Sequence, residues 1–140
     1  MSDPASKHSL VLEQLLQELP HALVLEPEQL RALMSDKSGH TSAGPPLCVV
    51  EALSIEDVVK VVTIASQHQI PLVTRGAGSG LAGGAIGGPG EIVLSLAKMN
   101  AILEISASDR WAVVQAGVIN HDLNEAAKEQ GLWFTPDPAS

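Results

Sequence analysis

Hydrophobic positions along the chain change their spacing part-way through, and the change organises the molecule. Leu12, Leu15, Leu16 and Leu19 recur at i, i+3, i+4 and i+7, the apolar stripe of a helix that Pro20 stops. Ala22-Leu23-Val24-Leu25 is apolar without a helical period and predicts a short strand or an extended linker. A second small helix follows Pro27 and runs through Leu30 and Leu33. From Asp36 to Pro46 apolar content nearly disappears, and Asp-Lys-Ser-Gly-His-Thr-Ser-Ala-Gly-Pro-Pro is turn chemistry. That segment marks the expected internal boundary, with residues 1–44 a helical adapter and 45–140 the main lobe.

Beyond the boundary, strand-like and helix-like patterns alternate. Leu47 to Glu51 reads as a buried strand. Ser54 then caps a helix, with Asp57 three residues on in a capping-box arrangement and Ile55, Val58, Val59 and Val62 as the expected core face. Leu72 to Thr74 is the next strand, so the stretch from Cys48 to Thr74 predicts a β-α-β unit with parallel strands. Ile92, Leu94 and Leu96 alternate with Val93 and Ser95, the segment from Ala101 to Ile105 is expected to pair with them, and Trp111 to Gln115 makes a further strand. Ile119, Leu123, Ala126, Ala127 and Gln130 then follow helical spacing, with Asn120 as N-cap and Gly131 as the stop. The fold class is α+β, a small mixed sheet with one β-α-β unit flanked by helices.

Composition narrows what such a domain can bind. Of 140 residues, 8 are Lys or Arg and 16 are Asp or Glu, for a net charge of -8. That balance argues against nucleic acid or an anionic membrane surface as partner, since both need clustered cations. The N-terminus has no apolar segment behind a basic start, and no run approaches the ~18 apolar residues of a membrane span. The expectation is a cytoplasmic protein. Cys48 lies in an apolar run and reads as a small buried hydrophobe. His8, His21, His40 and His68 show no metal-ligand spacing, and His121-Asp122 reads as the start of a helix, not a catalytic pair. Trp111, Trp133 and Phe134 read as core.

Candidate chemistry is concentrated between Arg75 and Ala85, where glycine takes nearly every second place: Arg75-Gly76-Ala77-Gly78-Ser79-Gly80-Leu81-Ala82-Gly83-Gly84-Ala85. Glycine lacks Cβ, so a backbone rich in it turns several N–H groups towards one anion. Gly78 to Gly83 matches G-x-G-x-x-G behind a strand. A nicotinamide-binding fingerprint, however, needs a helix to begin inside the motif and an acidic residue about twenty positions on, where this chain has turn formers and Asn100. A nucleotide-triphosphate loop would end in Gly-Lys-Ser or Gly-Lys-Thr, and the loop has no lysine. Arg75 itself reads first as a donor to backbone carbonyls that shape the loop, and second as a phosphate contact.

The loop resembles the pyrophosphate loop of the FAD-linked oxidases, the vanillyl-alcohol-oxidase superfamily with its PCMH-type FAD-binding lobe. Leu94-Ser95-Leu96-Ala97-Lys98-Met99-Asn100-Ala101-Ile102, Ala116-Gly117-Val118 and Gly131-Leu132 followed by Pro136-Asp137-Pro138-Ala139-Ser140 extend the resemblance from about Pro45 to Ser140. The wording looks most like the glycolate and D-lactate dehydrogenase branch. The resemblance implies FAD held by the amides of Gly76, Ala77, Gly78, Ser79 and Gly80, with Gly83, Gly84 and Ala85 closing the far side. It also implies a flavin contact at Pro136, Asp137, Pro138 and Ser140, although Asp137 between two prolines is equally a turn former. Relatives that attach the flavin covalently use a histidine in this loop; none stands here, which implies non-covalent FAD.

Relatives continue into a second FAD lobe and a substrate domain. The expectation is therefore the first FAD-binding lobe of an enzyme that oxidises a small D-2-hydroxy acid, inactive without those parts. The alternative is a stand-alone interaction module that kept the fold, associating with itself or a partner through the face the second lobe would cover.

Overall fold

Cys48-Val49-Val50 and Ile92-Val93-Leu94 are unbroken apolar triplets, the pattern of strands covered on both faces. In the computed structural model, which describes residues 4–136, they lie in β2 (Cys48–Glu51) and β4 (Ile92–Ser95), the two inner strands of a four-stranded sheet. The elements in chain order are α1 (Pro4–Glu18), β1 (Leu23–Val24), α2 (Pro27–Ala32), β2, α3 (Ile55–Gln67), β3 (Leu72–Arg75), β4, β5 (Ile102–Ser106), β6 (Trp111–Val114) and α4 (Asn120–Lys128). Sheet order is β1-β2-β4-β3, with β2, β4 and β3 parallel and β1 antiparallel on the edge beside β2.

Alternation along β2 and β4 divides the core into two sides. Cys48, Val50, Ile92 and Leu94 pack with Val11, Leu15 and Leu19 of α1 and its C-terminal end and with Val61, Ile64 and Ala65 of α3. Val49 and Val93 point the other way, towards Leu30 of α2. The result is three layers: α1 and α3, the sheet, then α2. Residues from the front quarter thus enter both sides of the core, and β1 completes the sheet through Leu23 opposite Val50 and Val24 opposite Val49.

Helix α3 is rotated from its expected face, whereas α1 and its C-terminal end keep Leu15 and Leu19 buried and Leu12 packed against the core. In α3 the buried positions are Asp57, Val61, Ile64 and Ala65, with Val58 at the margin, whereas Ile55, Val59 and Val62 are 70%, 59% and 45% exposed. Apolar residues occupy most of this helix, so spacing alone admits either face. The N-terminus decides: Ser54 Oγ accepts from the Asp57 amide at 3.2 Å, and the Asp57 carboxylate accepts from the Leu53 amide at 2.9 Å. The Ser54 cap is as expected, but Asp57 reaches back one residue beyond the capping-box donor and also meets His21 Nε2 at 3.1 Å. In α1 the buried line is Val11 and Leu15, continuing to Leu19, while Leu16 is 57% exposed.

The last helix ends as its glycine predicts. Gly131 has φ +71°, its amide donates to Lys128 O and the Leu132 amide to Ala127 O, both at 3.0 Å, a Schellman closure. Asn120 is not the N-cap. Ile119 holds that place without a side-chain bond, and Asn120 Nδ2 donates instead to Pro136 O at 2.8 Å, tying the chain after α4 back to its start.

Strand β3 is parallel to β2, as the β-α-β reading requires, but β4 lies between them. β3 and β4 are parallel neighbours joined by residues 76–91 without a helix, which puts the glycine loop in the place of a crossover helix. Strand β5 does not pair with β4. It forms a separate antiparallel hairpin with β6, because the chain leaves the sheet after Leu96 in a turn in which the Met99 amide bonds Leu96 O at 2.9 Å.

Candidate functional site: a glycine loop crossed by the Leu33–Ser42 strap

Parallel strands bring their C-terminal ends to one edge, where Glu51, Arg75 and Ser95 stand in register. The glycine loop leaves this edge at Arg75 and returns over the α2 side of the sheet to the start of β4. It lies close to the sheet. A Cβ on Gly87 would overlap Val93 Cγ2 and crowd Pro46, so glycine is required there by the protein's own packing. Gly78 is required too, by φ +70° and by the Arg75 guanidinium directly beneath it.

Gly76, Gly80 and Gly84 are different. None has a positive φ, and nothing lies within 4 Å of the place a Cβ would take. Neither backbone strain nor internal packing calls for glycine at these three positions. The amides of residues 76–84 donate no hydrogen bond among the described residues. Nine consecutive N–H groups without a protein acceptor, on a segment in which five of the nine residues are glycine, are left free to bond a ligand that approaches the backbone.

Arg75 shapes the loop from within. Its Nη1 donates to Ala85 O at 2.7 Å and to Ser35 O at 3.0 Å, so the carbonyl reading of this residue is the one the geometry shows. Ser79 makes no hydrogen bond among the described residues. Pro136 is exposed and its carbonyl serves Asn120, while Asp137, Pro138 and Ser140 lie outside the described residues.

Residues 36–46, a boundary by their turn composition, are part of the site. The segment from Leu33 to Ser42 straps the loop: Gly87 N donates to Leu33 O at 2.9 Å, Lys37 N to Gly80 O at 3.2 Å, and Ser42 Oγ to Gly87 O at 3.0 Å. Asp36 sits in this strap with Oδ1 accepting from the Ser38 amide at 2.8 Å. Bonding to Ser38, with smaller favourable contributions from the Ala85 backbone and the Arg75 charge, holds its carboxyl below the usual range against the opposing effect of burial. Turn composition was the visible signal; the partner loop lies some forty residues later in sequence.

A second concavity, a cleft of about 560 Å³, lies away from the glycine loop, between the β5–β6 hairpin and α4. Ile105, Trp111, Val114, Leu123, Trp133 and Phe134 are among its walls. Trp111, Trp133 and Phe134 were expected in the core but are 42%, 71% and 41% exposed, because a two-stranded hairpin and one helix cannot enclose them. Cys48 is fully buried, and burial pushes its thiol up to about 12, which leaves it protonated and inert at neutral pH. Among the described residues no cluster of three metal-ligating side chains occurs, and no helix is long and apolar enough to cross a membrane.

Comparison with known proteins finds the same stretch. A family described as FAD binding domain matches residues 46–140. Glycolate oxidase subunit GlcD of Bacillus subtilis is 39% identical over 95 residues, covering 68% of this chain and 20% of the relative. D-2-hydroxyglutarate dehydrogenase of Stutzerimonas stutzeri is 35% identical over 140 residues, 100% of this chain and 29% of the relative. Among solved structures, p-cresol methylhydroxylase with substrate bound superposes with a TM-score of 0.74 and 26% identity, over 91% of this chain and 25% of that one. The chain spans less than a third of each of these proteins.

Proposed function

The chain belongs to the FAD binding domain family, and from that premise we propose that the glycine loop holds FAD non-covalently by its pyrophosphate, as the first lobe of an oxidoreductase acting on a small D-2-hydroxy acid. FAD is the cofactor of the family, and the relation to glycolate oxidase, D-lactate dehydrogenase and D-2-hydroxyglutarate dehydrogenase is direct. The observation that carries the proposal is the set of three glycines, Gly76, Gly80 and Gly84, that no internal contact or backbone strain requires, beside a run of unpaired amides.

When bound, FAD supplies the two-electron acceptor for conversion of a 2-hydroxy acid to the 2-oxo acid. The residues of this chain bind and orient. Amides from 76 to 84 meet the phosphate oxygens, and Arg75 keeps the two rims of the loop at a set spacing through Ala85 O. No histidine occurs between Arg75 and Glu91 to bond the flavin, which supports non-covalent retention. Groups that bind the hydroxy acid and take its proton belong to the second lobe and substrate domain of the proposed whole enzyme.

Calorimetric titration of the full chain with FAD, alongside the Gly80→Asp variant, tests the site. FAD is expected to bind the wild type and to lose at least tenfold in affinity in the variant, whose side chain has room in the fold but places a carboxylate in the anion cradle. Equal affinity in both, or no binding to the wild type, overturns the assignment of the loop.

A further inference from the structure

The cradle has an anion to neutralise, and its own cation is engaged. Arg75 directs Nη1 to two carbonyl oxygens, and its guanidinium lies against Gly78. On the same edge of the sheet Lys98 is paired with Glu51 at 2.6 Å. The strap supplies a third cation. Lys37 is exposed, makes no ion pair or side-chain hydrogen bond among the described residues, and is anchored by its own amide to Gly80 O at 3.2 Å.

We propose that Lys37 is a phosphate-binding residue of the cofactor site, carried to the cradle by the Leu33–Ser42 strap. The proposal rests on the reading of the glycine loop as the pyrophosphate site. It lies outside the matched family stretch, which begins at residue 46.

Three observations support it. The backbone of Lys37 is bonded to Gly80, one of the glycines whose missing side chain faces open space, and Lys37 carries its charge on a flexible four-carbon stem. The position is held from both sides: Ser42 bonds Gly87 O on the far rim and its amide bonds Met34 O at 2.9 Å, Ser35 O receives Arg75, and Ser35 forms a bridge with Thr41. Finally, Asp36, next to Lys37, has its Oδ1 on the Ser38 amide and its Oδ2 buried without a hydrogen-bond partner among the described residues. The acidic neighbour is therefore turned into the strap and leaves the lysine as the charge offered to ligand.

The test compares FAD binding to the full chain and to its Lys37→Met and Lys37→Arg variants by calorimetry at low and high salt, with thermal unfolding of each. Lys37→Met is expected to bind FAD about fivefold more weakly at low salt, with the gap closing at high salt. Lys37→Arg is expected to keep wild-type affinity, and all three to unfold at the same temperature, because the exposed side chain makes no hydrogen bond or ion pair among the described residues. Unchanged affinity in Lys37→Met at low salt overturns the proposal, and if Gly80→Asp still weakens binding at least tenfold, the loop reading stands without it. Failure of the wild type to bind FAD overturns both.

Discussion

Arg75, the last residue of β3, donates across the glycine loop to the carbonyl oxygen of Ala85 at 2.7 Å, so one side chain joins the two rims of the segment that the rest of the site depends on. Its second bond, to Ser35 O, fixes the strap to the same guanidinium. Both carbonyls accept from one nitrogen, Nη1, which a planar guanidinium holds in a fixed place and a flexible, more strongly hydrated lysine ammonium does not.

Arg75→Lys is therefore expected to destabilise the protein by about 1 kcal/mol, the net value of one lost charge-assisted bond at a half-buried site. FAD affinity is expected to fall at least tenfold, because the rims lose their spacing. Denaturant unfolding and FAD titration on the same variant measure the two effects, and a loss of stability with full FAD affinity would show that the rims hold their places without the bridge.

Asp57 couples the fold to acid. Burial raises its carboxyl pKa, but bonds from the Leu53 amide, His21 and the Ser54 region outweigh burial, and the net shift is downward from the ordinary 3.8. A lowered folded-state value means that the ionised form stabilises the native state. That contribution is full above pH 3.8 and is lost as pH falls through the lower native value. Asp57→Asn is expected to cost about 1–3 kcal/mol at pH 7. The difference between variant and wild type should shrink below pH 3.8 in denaturation curves taken across the acid range.

Gly117 is the joint between the sheet half and the hairpin half. Its amide donates to Met99 O at 2.8 Å, and a Cβ there would overlap the carbonyl oxygen of Leu96. Because the obstacle is backbone, which side-chain rotation cannot clear, Gly117→Ala is expected to destabilise by on the order of 3 kcal/mol. A chemical denaturation midpoint unchanged from wild type would mean that the turn after β4 shifts freely.

Local chemistry carried much of this structure in the sequence itself. The Ser54 cap, the Gly131 stop and the stretches that became β2, β3, β4 and β6 follow from residue types within a few positions of one another, as does the density of glycine that marks the loop. The face of α3 was less legible: with apolar residues around most of the helix, Val61 and not Val59 is the buried position, and the Asp57–His21 contact that accompanies this joins residues 36 apart.

What the sequence alone determined is the loop's capacity, since glycine's missing Cβ and the absence of an in-loop lysine or histidine are properties of the residues wherever the chain goes. Tertiary structure decided which glycines face a ligand and which face protein: Gly80 looks onto open space and Gly87 onto Val93, though their local sequences do not distinguish them. It also brought Lys37 and Ser35 to a loop some forty residues downstream, and it set β4 between β2 and β3. Such pairings depend on contacts between distant segments, whose formation is governed by the burial of a shared core and not by the composition of either segment.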